Sequence, residues 1–220
     1  MAENIFRYAT GIDVTASRTL YQAVSQSGTF RSIASATPAF YYWNVSGPTC
    51  TREIYNLIQR DIINMNYGAN TVITTIPHGP NGTAGDGVVW YEGTPLTVSN
   101  HAVAGANFGS VGTTLMISAI PGIVIQAGNW IQLQFSDSEV AGSYKVYQVA
   151  ETVTTTSGLT PIRLNTALTR DPEGNSLLRL GADVQFKLAL TEIPAATTVP
   201  GGQGRPLYAF DGQFVFREVL

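Results

Sequence analysis

The chain has 220 residues, of which 44% are hydrophobic and only 12% charged. Twelve Lys and Arg against 15 Asp and Glu leave a net charge of −3. That balance excludes a polyanion binder of the basic kind, whose affinity comes from cations displacing phosphate counterions. One cysteine, Cys50, excludes an internal disulfide framework and a Cys-rich zinc or iron–sulfur site.

In chain order, the opening MAENIFRYATGIDV has no basic start followed by an apolar run, so no secretory leader is expected. Ser17–Gln26, closed by Gly28, carries a short apolar stripe (Leu20, Ala23, Val24) and is expected as a minor helix. Phe30–Val45, with the run Phe40-Tyr41-Tyr42-Trp43, reads as strand, where large rings pack across neighbours. The clearest helix is Arg52–Asn66. Ile54, Leu57, Ile58, Ile62 and Met65 fall on one stripe, with Thr51 as cap, Glu53 in the positive first turn and Gly68 as the stop. Thr71–Ile76 and Val88–Glu92 read as strands joined by the turn-rich loop HGPNGTAGDG. Asn100–Gly112 is rich in Ala and Gly and sets a boundary: an α+β module over 1–112, then an antiparallel β-sandwich or barrel over 113–220.

The second half is more regular. Thr113–Ile120 is a strand, turned by Pro121-Gly122 into the short apolar Ile123–Ile125, and Gly128 turns the chain again. Ile131, Leu133 and Phe135 alternate with Gln132 and Gln134, which predicts one buried and one wet face. Tyr144–Val149 is the next strand, and Glu151–Thr156 with Thr160–Asn165 is expected as a hairpin through Ser157-Gly158. Asp171-Pro172-Glu173-Gly174 has the residues of a tight turn. Val184, Phe186, Leu188 and Leu190 make the strongest alternation; the Pro/Gly stretch Pro194–Pro206 then reads as an irregular arm before a last strand, Gln213–Val219. Strands spaced this closely make the chain mainly β and antiparallel.

No catalytic signature stands out. There is no phosphate-binding Gly-Lys-Ser/Thr loop, since the two lysines follow Tyr144 and Phe186, and no G-x-S-x-G elbow. His78 and His101 lie in separate loop-like stretches, and a metal site would need both brought together with Asp86 or another carboxylate; two unrelated loop histidines are the expectation. Cys50, just before a helix, would have its pKa lowered by that position, yet a lone cysteine there is usually inert. The pairs Asp137/Glu139 and Asp171/Glu173 sit in turns, where carboxylates bond local backbone rather than flank a sugar. No enzyme activity, cofactor or metal is expected. A hydrolase acting on a cell envelope would need the positioned acid/base pair that these carboxylates do not make.

Lysine occurs only at Lys145 and Lys187. Lysine keeps surfaces soluble and guards strand edges, and it is depleted where proteins meet. Two readings follow: a compact β protein with an uncharged polar surface, or a surface covered by neighbouring subunits. The second fits so few charges better.

From Pro121 onward the stretches PGIVIQAGNWIQLQF, YKVYQVAETV, PIRLNTALTR, ADVQFKLAL and FDGQFVFREVL resemble virion proteins of tailed bacteriophages, of the tail and baseplate kind. Pro121, Gly122 and Gly128 match that pattern, Asn129 stands where Asp is usual, and Tyr144-Lys145-Val146 and Leu168-Thr169-Arg170 match later elements, with Thr169 inserted before the Arg. The resemblance spans roughly the last 100 residues and leaves the first 110 unmatched. It implies a structural subunit of tube, baseplate, neck or tail tip. Such a subunit assembles in host cytoplasm with copies of itself and other virion proteins; it engages no membrane, reads no nucleic-acid sequence, and at most lines a lumen through which DNA passes.

Candidate contacts are drawn from three loops: 77–87 (His78, Asn81), 100–112 (Phe108) and 194–206 (Val199, Arg205), with Tyr208 just beyond. The aromatics Tyr42, Trp43, Trp90 and Trp130 complete them, and would form an exposed platform on the alternative reading, a receptor- or glycan-binding fibre adaptor.

Overall fold

The structure, a computed structural model, describes residues 3–17, 20–24, 30–34, 40–75, 96–98, 114–118, 121–134, 144–166, 168–169, 177–180 and 184–219. The described chain is mainly β, with antiparallel ladders and one long helix. Among the described residues no sheet closes on itself, and neither a barrel nor a sandwich is established. It forms two compact units that do not follow the expected boundary at 112/113. Unit 1 is built from three separate segments, 1–17, 40–77 and 186–219, and unit 2 from 18–39 and 78–185. Sequence-local boundary signals are blind to this, because the final segment, 186–219, returns to pair with the first part of the chain.

In unit 1 a five-stranded sheet runs in the order β1 (Gly11–Ser17), β4 (Phe40–Ser46), β18 (Gln213–Glu218), β15 (Gln185–Glu192), β6 (Thr71–Thr75). Alternation decides which face is dry. Tyr41, Trp43 and Val45 of β4, Phe214 and Phe216 of β18, and Phe186, Leu188 and Leu190 of β15 are buried. The short helix α1 (Glu3–Arg7) adds Phe6, whose ring meets Trp43 at 5.7 Å and Phe216 at 5.0 Å.

The long helix α2 (Arg52–Asn64) buries Ile58 and Ile62, and Met65 just beyond, as the stripe predicts. Thr51 occupies the cap position, but its hydroxyl makes no capping bond. Past α2 the chain turns through Asn66 (φ 48°), Tyr67 (φ 53°) and Gly68 (φ 99°). At Gly68 only glycine fits, since a Cβ would lie 2.1 Å from the Leu190 carbonyl oxygen.

A three-stranded sheet in the same unit has the order β16 (Ala195–Val199), β17 (Leu207–Asp211), β5 (Thr49–Cys50). Residues 194–206 are therefore not an irregular arm. Ala195-Ala196-Thr197-Thr198-Val199 pairs with Leu207–Asp211 in a hairpin, because Thr and Val supply strand propensity between the two prolines.

Unit 2 holds a six-stranded sheet, β11 (Val146–Gln148), β10 (Trp130–Gln134), β14 (Leu177–Leu180), β7 (Leu96–Val98), β8 (Thr114–Ser118), β13 (Leu159–Arg163), with the pair β9 (Val124–Ile125) and β12 (Val153–Thr154). Leu115, Ile117, Ile125, Ile131, Leu133, Ile162 and Leu178 share one core cluster. Pro161 is accommodated because β13 is an edge strand.

The hairpin expected through Ser157-Gly158 does not form: β12 pairs with β9, and β13 with β8. Gly122 N–H donates to the Thr155 carbonyl and Thr155 N–H to the Ile123 carbonyl, tying β9 to β12, and Thr155 Oγ1 accepts another from Ile123 N–H. The minor helix expected at 17–26 is also replaced by strand. β2 (Leu20–Val24) pairs in register with β3 (Phe30–Ala34), a ladder three apolar residues on one stripe cannot outweigh. The tight turn at Asp171–Gly174, the strand at Val88–Glu92 and the loops at 77–87 and 100–112 lie outside the described residues.

Candidate assembly surface

The aromatic run was the first candidate, and β4 splits it by alternation. Trp43 is 0% exposed and meets Phe186 edge-on at 5.0 Å between ring centroids, so it belongs to the unit 1 core and offers nothing to a partner. Its indole N–H has no acceptor among the described residues. Tyr42 points to the other face, half-buried, with the Arg217 guanidinium 5.8 Å from its ring and 5.1 Å from Phe40. An aromatic platform containing Trp43 is therefore not built. Trp130 is half-buried on β10, and Trp90, His78, Asn81 and Phe108 lie outside the described residues, as do His101, Asp86, Asp137, Glu139, Asp171 and Glu173.

The contacts expected near the C-terminal arm fall on the β16–β17 hairpin. Val199 ends β16 half-buried, Arg205 is exposed at the hairpin tip, and Tyr208 sits on β17. Tyr208 stacks on Tyr55 of α2 at 4.5 Å, with Phe210 also against Tyr55 at 5.8 Å. This stack fixes the hairpin's inner strand on the helix. The outer strand has no such support: Ala195, Ala196, Thr197 and Thr198 are all exposed. Beyond β16 no further strand is paired among the described residues, and the same holds beyond β1 and β6 at the ends of the five-stranded sheet.

Lysine, the usual guard of such edges, is withdrawn. Lys145 is 1% exposed, its ammonium 6.0 Å from the Tyr147 ring, and Lys187 is half-buried on β15. Both lysines of the chain are thereby removed from the open edges. Exposed apolar side chains add to the surface: Ile63, Tyr67 and Ile73 follow one another from the end of α2 into β6.

No protein-family model matches the chain, and no curated protein matches it.

Three buried polar groups were not legible as such. Asp61 lies on the apolar stripe of α2, 3% exposed, and its carboxylate accepts hydrogen bonds from Asn4 N–H (2.6 Å), Ile5 N–H (3.3 Å) and Asn4 Nδ2 (3.1 Å), holding the start of α1. An acid at a stripe position was the signal. Gln132, expected on a wet face, is 1% exposed; its side-chain amide bonds Gln185 backbone N–H and C=O as a second ladder rung would. Cys50 is buried, and desolvation pushes its thiol pKa up, opposite to the lowering expected from its place before α2. In unit 2, Gly122 (φ 93°) and Gly128 (φ 88°) bracket β9, and Asn129 is buried.

Proposed function

We propose that this chain is a structural subunit of a tailed bacteriophage particle, a tail-tube, baseplate, tail-tip or neck component that works by assembling with its own copies and with other virion proteins. The observation that carries the reading is the withdrawal of both lysines from a surface whose strand edges stay open among the described residues, with no charge on β6 or β16. A protein living alone in solution guards such edges with charge. A part of a permanent assembly leaves them for its neighbours, and obligate contacts of this kind bury upwards of about 2,000 Å². The phage-like rhythm from Pro121 to the end supports the same setting. The fibre-adaptor alternative loses its main support, since Trp43 lies in the core.

Peptide mass mapping of purified particles, with copy number per particle, tests the proposal. Peptides of this chain at a fixed integer ratio to the tail proteins support it. A freely soluble monomer that shows no association at high concentration, and is missing from particles, overturns it.

A further inference from the structure

We infer that the outer edge of β16 is a strand-pairing site and that its occupant is β16 of a second copy, running antiparallel about a twofold axis at Thr197. The inference rests on the self-assembly part of the proposed function and names the contact.

A strand edge presents unpaired backbone N–H and C=O groups at the spacing of another strand, so the occupant is an extended segment. Ala195–Val199 shows none of the devices that discourage this: it contains no charge, no proline and no bulge. Its exposed side chains are small, so a second backbone can approach to ladder distance without steric conflict.

Charge selects a copy of the same chain and the direction of pairing. Glu192, exposed, lies five residues before Thr197, and Gly202, at the base of the tip that carries exposed Arg205, lies five residues after it. Arg205 N–H donates to the Gly202 carbonyl, which keeps that cation at the tip. Asp211, also exposed, pairs with Ala195 and adds a second acid to the Glu192 end. The strand is therefore neutral along its length, acidic at one end and basic at the other. Antiparallel self-pairing sets the acidic end of each copy against the basic tip of the other, twice by symmetry. Parallel pairing would put Glu192 beside Glu192. On the axis, Thr197 faces Thr197, a favourable cross-strand pair, and two three-stranded sheets become one continuous sheet.

Sedimentation velocity of the full chain, with circular dichroism as a fold control, tests this. The wild type is expected to dimerise, and Thr197→Lys, which sets two ammonium groups face to face on the axis, to dissociate it. Glu192→Arg alone should raise the dimer dissociation constant roughly tenfold by replacing two exposed attractions with repulsions, and adding Arg205→Glu should restore it. Thr197→Cys should oxidise to a disulfide-linked dimer, because paired residues on antiparallel strands lie about 4.5–5.5 Å apart at Cα, within disulfide reach. Thr156→Cys, on an exposed turn of unit 2, should not.

A monomeric wild type, a Thr197→Lys chain that dimerises as before, or a double charge reversal that fails to rescue overturns the self-pairing. The two proposals fail separately. A monomer that still enters particles refutes this contact alone, and a β16 dimer absent from particles refutes the virion role alone.

Discussion

A single polar atom decides how two buried side chains respond to change. Trp43 fills the unit 1 core but leaves its indole N–H without an acceptor among the described residues. Trp43→Ala should cost about 3–5 kcal/mol through the cavity it opens. Trp43→Phe should cost less than about 2 kcal/mol, because it keeps an aromatic ring while removing the orphaned donor. Urea denaturation followed by circular dichroism separates the two. At Cys50 burial raises the thiol pKa. A raised pKa means that the neutral form is favoured in the folded state, so its contribution is full below the unfolded value and is lost as pH rises. The urea midpoint should therefore fall above about pH 8.5, and fall less in Cys50→Ala. Iodoacetamide at pH 8 should label Cys50 slowly in the folded chain and promptly once it unfolds.

Among the elements, α1 shows how a short helix is held. Five residues are too few to be helical alone. Ile5 is buried, Phe6 packs on Trp43, and the Asp61 carboxylate caps the start. Asp61→Asn keeps the shape but replaces charge-assisted acceptance with a weaker amide oxygen and an unmatched NH₂. The expected loss is about 1–3 kcal/mol, with earlier proteolytic cleavage near the N-terminus, read by urea titration and limited digestion.

The strands divide the same way. Where alternation was strong, as in Val184–Leu190, the strand stands where the pattern puts it. Where residues were small and interrupted, as in Ala195–Val199, strand identity came from a hairpin partner eight to sixteen positions on, across a Pro/Gly tip that masks the local pattern.

For the molecule as a whole, the consequence of discontinuity is testable. The excursion 18–39 leaves β1 at Ser17 and returns to β4 at Phe40, and these two residues are register partners in the antiparallel ladder. Replacing 18–39 with Asn-Gly therefore closes a two-residue hairpin of the favoured type. Unit 1 should keep its fold, with the Trp43 near-ultraviolet signal and melting transition retained; loss of both would show that the excursion is required to fold it.

The sequence by itself determined the mainly β class, the amphipathic helix after Thr51, the alternating strands and the scarcity of charge. All of these are periodic or compositional properties of neighbouring residues. Only the tertiary structure decided which strands pair, that Trp43 and Asp61 face inward, that Cys50 is desolvated and that β16 is the last paired strand of its sheet among the described residues. Each of those depends on what the far end of the chain brings alongside, and chain connectivity carries no local mark of it.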